Sequence, residues 1–116
     1  LRKERGELKL SQIKLNDTRL ELTSTRLQLS NKIEALKQQL VSFVRQEELL
    51  NTIVSDYTEL LQAEDRKFEL GESSIFLVNS RETKLIEAQL KAVELQNTIF
   101  STKAKFFNTL AINPSL

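Results

Sequence analysis

Leu8, Leu15, Leu22, Leu29, Leu36, Phe43, Leu50 and Tyr57 stand seven residues apart without a gap. An apolar period of seven kept up over that distance marks a helix packed along one seam, because supercoiling brings every seventh residue back to the same partner. From Ile33 onward the row fills in at spacings of three and four through Leu36, Leu40, Phe43, Leu50, Val54, Tyr57, Leu61 and Phe68. Glu47 and Glu64 also fall on seam positions, where they weaken the seam locally unless Lys or Arg of a facing helix pairs with them.

Punctuation confines this pattern to two segments. Residues 2 to 70 hold no Pro and a single Gly, Gly6, and residues 75 to 112 hold neither. The stretch Leu70-Gly71-Glu72-Ser73-Ser74 is the one clear break, and Asn113-Pro114 ends the pattern because the residue before Pro is pushed out of helical geometry. Two Gly and one Pro in 116 residues leave few turns to build a globule with. The expected organisation is all-α: a long helix over residues 1–69, a tip turn at 70–74, a second helix over 75–112 and a tail at 113–116. The two helices would be roughly 100 Å and 57 Å long and antiparallel. Gly71 fits the position just past a helix end, where positive φ is common. Ser73 or Ser74 can cap the second helix, and Asn79 with Glu82 offers a later capping box. The apolar run Ile75 to Val78 favours the earlier start.

A second row runs through the first third of the chain: Ile13, Leu20 and Leu27, each two residues before a member of the first row. Residues two apart on a helix point about 200° apart, so the rows lie on nearly opposite sides and call for two neighbours. Leu-x-Leu alternation is also a strand signal. Here each alternation lasts three residues and recurs every seven, which strand pairing does not explain. The second helix carries one row through Val78, Leu85, Ala88, Ala92, Leu95, Ile99 and Phe106. It carries another through Ile86, Leu90, Val93, Phe100, Ala104, Phe107 and Ala111, with Asn97 inside it. Read as one broad face, these would meet a lower helix 1 widened by Leu49, Ile53, Leu60 and Ala63. The seam residues of the hairpin are then Leu15, Leu22, Leu29, Leu36 and Leu50 on one helix and Leu85, Ile99 and Phe106 on the other. The shorter helix reaches back to about Leu29, so residues 1–28 project beyond it.

Composition narrows the function classes. Seventeen basic and sixteen acidic residues, mixed along the chain, provide no surplus to bind nucleic acid. The absence of Cys and His removes thiolate sites, the commonest metal ligand and the commonest general base. Glu47-Glu48 and Glu64-Asp65 are adjacent pairs that diverge by about 100° around a helix, so they do not converge on a substrate. No cofactor, metal or catalytic residue is expected, and an enzyme is not. Phe100, Phe106 and Phe107 read as seam packing. No window of ~20 apolar residues is present to span a bilayer as a helix. No signal peptide is visible, and a chain that opens at Leu1 without any Met reads as a piece of a longer protein.

The stretch from Phe68 to Arg81, FELGESSIFLVNSR, resembles the periplasmic tip of TolC-family outer-membrane efflux proteins: an aromatic, a glycine, a polar pair and a short apolar run leading into the last helix. Lys84-Leu85-Ile86-Glu87-Ala88-Gln89-Leu90 is similar to the helix that follows, and Leu1 to Gly6 to the start of the long helix before it. The resemblance implies the second periplasmic hairpin of a trimer in a Gram-negative-type envelope, an α-barrel wall segment in a twelve-helix tunnel below an outer-membrane β-barrel. It implies self-association as a trimer, export of drugs, metals, toxins or proteins, and a periplasmic adaptor docked at Leu70, Gly71, Glu72 and Ser73. In some members acidic residues after the glycine narrow the tunnel mouth. Leu77 and Ser80 hold the corresponding positions here, so that constriction is not expected in this hairpin. In a tunnel, Glu47 and Glu64 have the lumen as an alternative to a helix partner. The rival readings are an α-hairpin of a periplasmic adaptor or a generic coiled-coil scaffold, and a DNA- or membrane-binding helix.

Overall fold

The computed structural model describes residues 1–112, which form two helices, α1 (Arg2–Glu69) and α2 (Ile75–Ile112). They lie against each other in an extended hairpin whose principal axes measure 103 × 21 × 15 Å. The long axis is α1 itself, since 68 residues at 1.5 Å of rise come to about 100 Å. Among the described residues there is no strand. The expected stop at Asn113-Pro114 lies outside them.

The turn is built by Gly71. Leu70 closes α1 in right-handed geometry, and Gly71 then takes φ +76°. Its N–H donates to Phe68 O at 3.0 Å, and the Glu72 N–H reaches back to Lys67 O at 2.8 Å. This pair of bonds is a Schellman closure, which satisfies the carbonyls a helix end otherwise leaves without partners. Arg66 and Lys67 add positive charge beside the negative end of the helix dipole. Ser74 opens α2: its Oγ accepts from the Leu77 N–H at 3.3 Å and its carbonyl from the Val78 N–H at 3.1 Å. The helix therefore starts at the earlier of the two expected caps.

Between the helices runs one seam. On α1, buried and half-buried positions step by four and three from Leu29 through Ile33, Leu36, Leu40, Phe43, Glu47, Leu50, Val54, Tyr57 and Leu61 to Glu64. The steps on α2 match, from Val78 through Arg81, Leu85, Ala88, Ala92, Leu95, Ile99, Thr102 and Phe106 to Thr109. From Ile33 onward, each seam position of α1 lies as far before Gly71 as one of α2 lies after it. Glu64 and Val78 are seven residues away, Leu61 and Arg81 ten, and so on to Ile33 and Thr109. The molecule is thus an antiparallel two-helix coiled coil folded about that glycine.

The core is correspondingly thin. Among the described residues Ile33, Leu36, Ala88 and Ile99 are the buried apolar ones, and no side chain is wholly enclosed. The broad faces expected to meet do so only in part, at Ile53 and Ala63, which are half-buried. Ile86, Leu90, Val93, Phe100 and Phe107 are all exposed, as are Leu49 and Leu60 on α1. A two-helix contact covers only the narrow stripe pointing at its partner, and residues one step round the helix, about 100° away, stay outside it.

Candidate interaction surfaces

Three surfaces stand out, and the first is the uncovered side of α2. Ile86, Val93, Phe100 and Phe107 are seven apart. Leu90, Asn97, Ala104 and Ala111 interleave with them at steps of four and three. This is a second complete heptad seam. At 3.5 residues per turn its centre lies about 150° around the helix from the centre of the first. Phe100 is 76% exposed and Phe107 64%, which is far from the environment aromatic side chains usually occupy. The expectation that Phe100, Phe106 and Phe107 pack together in the hairpin seam holds for Phe106 alone. Phe107 touches it edge to face, at a centroid distance of 5.9 Å and an angle of 65°, from outside the seam.

The second surface is the first part of α1. Every residue from 1 to 28 is exposed, and Leu29 is the first to be half-buried. Of the expected seam residues, Leu29, Leu36, Leu50, Leu85, Ile99 and Phe106 lie between the helices. Leu15 and Leu22 continue their line without a partner. Ile13, Leu20 and Leu27 form their own bare row about 130° from the centre of the seam, and Val41 falls on the same line two heptads past Leu27. Exposed apolar side chains aligned in rows of this kind mark a surface that packs against another helix.

The tip is the third. Leu70, Gly71 and Glu72 are exposed and flanked by the exposed apolar side chains of Phe68, Ile75, Phe76 and Leu77. Ser73 is different, because it is half-buried and its hydroxyl donates to Glu64 Oε1 inside the hairpin. Arg81 Nε donates to Glu64 Oε2 at 3.5 Å. Glu64 is only 7% exposed, yet it stays ionised. The Ser73 hydroxyl holds its carboxyl below the ordinary value of 4.5, burial pulls the other way, and Arg81 and the charge of Lys67 assist the lowering.

Glu64 has the cationic partner anticipated for it, whereas Glu47 has none among the described residues. Its Oε1 accepts from Gln96 Nε2 at 3.5 Å. Arg81, Thr102 and Thr109 are seam residues that a search for apolar rows passes over. Thr102 and Thr109 are buried because each hydroxyl donates to the carbonyl four residues back, at 2.8 Å, which leaves only the methyl group for the seam. Heptad counting outward from Ala88 and Ile99 is the signal that finds all three.

Among the described residues no three acidic side chains converge as a metal site, and no helix is long and apolar enough to cross a membrane. No protein-family model, curated protein or solved structure matches the chain.

Proposed function

We propose that the chain is a wall segment of a helical tunnel, the second periplasmic hairpin of a trimeric outer-membrane channel for efflux or secretion, with its tip docking a periplasmic adaptor. The observation that carries this reading is the second seam of α2, from Ile86 to Ala111, facing away from α1. A helix with two seams has two helical neighbours. Their angle fixes what the array becomes, since opposed seams at 180° give a flat layer and smaller angles give a closed ring. In a regular ring of twelve helices, each sees its neighbours about 150° apart, the separation of the two α2 seams. The bare row Ile13, Leu20 and Leu27 calls for a second neighbour of α1 as well.

The order of long helix, glycine tip and shorter helix, with its resemblance to the TolC family, supplies the cellular setting. In that setting Leu70, Gly71 and Glu72 are the adaptor contact, with the apolar side chains around them, and Ser73 shapes the tip from inside. An adaptor hairpin is the rival. It needs a single seam per helix and leaves the Ile86 row without a purpose.

The first test is the association state of the chain. It should self-associate at micromolar concentration, and a cooperatively folded, monodisperse monomer that persists there counts against the wall. The tip is tested in the full-length parent protein with Gly71→Val. That change should weaken adaptor docking more than assembly of the channel, and normal export with it removes the contact role.

A further inference from the structure

The seam repeats every seven residues on both helices, so apolar pattern alone does not fix how the helices are aligned. Sliding α2 by one heptad keeps the layers from Leu40 to Leu61 meshed, with Leu50 meeting Ile99 in place of Ala92 and Phe43 meeting Phe106 in place of Ile99. The chain even carries a start signal for that arrangement. Asn79 and Glu82 have capping-box spacing, and a helix beginning there gives the longer loop that the slide requires.

Glu64 is what the slide cannot accommodate. Its buried carboxylate is held by groups from two other parts of the chain, Ser73 of the turn and Arg81 of α2. Moving α2 by seven residues carries Arg81 about 10 Å along the axis and places Leu85 against Glu64. The charge would then be buried without a partner, a cost that adds to the loss of the layers at Ile33 and Leu36. We propose that Glu64, Ser73 and Arg81 form the register lock of the hairpin, the positioning residues that put Gly71 at the tip and exclude the slipped alignment. The lock depends on the hairpin alone and not on the tunnel reading.

The chain has no cysteine, so introduced pairs report alignment directly. Leu50→Cys with Ala92→Cys reports the observed register, and Leu50→Cys with Ile99→Cys the slipped one. Products cross-linked within one chain are separated by mass from those between chains. In the otherwise native sequence the first pair should cross-link at least tenfold more than the second. Adding Glu64→Leu should cut that preference at least threefold, and Glu64→Arg with Arg81→Glu should restore it. The proposal is overturned if Glu64→Leu leaves the tenfold preference intact. It is also overturned if Glu64→Leu abolishes helical ellipticity while Arg81→Leu retains the native cross-link alone.

Discussion

Phe106 and Phe107 are neighbours in sequence that serve different surfaces, their rings meeting edge to face at 5.9 Å where the hairpin seam passes into the uncovered side of α2. Phe106 is half-buried against α1, and Phe107 is 64% exposed. Their truncations should therefore separate folding from association. Phe106→Ala should destabilise the hairpin by about 1–3 kcal/mol, below the usual core value because the ring is only partly covered. Phe107→Ala should cost under about 1 kcal/mol, mostly the lost ring pair, yet markedly reduce self-association. Denaturant unfolding at high dilution reads the first effect, and sedimentation at micromolar concentration reads the second. Dilution matters because association itself adds apparent stability.

The two glycines should respond oppositely to alanine. A Cβ would meet nothing within 4 Å at either position, so sterics with neighbouring residues play no part. At Gly71, φ is +76° and an L-residue is strained by about 1–2 kcal/mol. Gly6 lies inside α1, where alanine gains about 0.5–1 kcal/mol in helix formation. Gly71→Ala should lower the unfolding midpoint, Gly71→Val should lower it further, and Gly6→Ala should raise helical content near the N-terminus. Circular dichroism during thermal unfolding distinguishes these outcomes.

The hairpin was legible because its signals are redundant. The heptad leucines, the long runs without Gly or Pro and the lone break at Gly71 all point to one architecture, and the antiparallel helical hairpin is what forms. The polar members of the seam were harder to see. Arg81, Thr102 and Thr109 are accepted there because an ion pair or a back-bonded hydroxyl satisfies them, and an apolar count has no way to register that. In the sequence the Ile86 row reads as a widening of the first face because each member lies one residue beyond a seam position or between two of them. Only after the seam is placed do those offsets become the far side of the helix. Glu47 had Lys and Arg within reach in sequence terms, but the antiparallel alignment brings Gln96 level with it instead.

Acid should loosen the tip before it affects the rest of the hairpin. Glu64 titrates below its ordinary value in the folded chain, chiefly through the Ser73 hydroxyl and then through Arg81 and Lys67. A carboxylate depressed on folding contributes stability that is fully present above its unfolded value. That contribution fades as pH falls through the folded one. The loss should begin near pH 4.5 and grow below it. Glu64→Gln should remove this part of the pH dependence and leave a flatter acid limb. Unfolding midpoints followed from pH 6 to pH 2 would show it, and an unchanged acid limb in Glu64→Gln would mean that the carboxylate contributes nothing.

The exposed rows of α1 make a prediction about where the isolated chain is least stable. Between Leu29 and Glu64 the backbone is held by a partner helix, whereas residues 2–28 have only their own hydrogen bonds. A single helix in water is marginal at best, since most helical stability comes from packing an apolar face. Gly6 adds a weak point, and Thr18 and Thr23 spend their hydroxyls on carbonyls four residues back, at 3.0 and 2.9 Å. Amide exchange in dilute solution should therefore be fast from residue 2 to about 28 and slow from Ile33 to Leu61. Concentrating the chain should protect the first segment if neighbours settle on Ile13, Leu20 and Leu27, and Leu20→Asp should abolish that protection while leaving the paired half unchanged. Protection of residues 2–28 that is already complete at high dilution would show that this stretch needs no neighbour. The two rows on its surface would then carry no argument for an assembly.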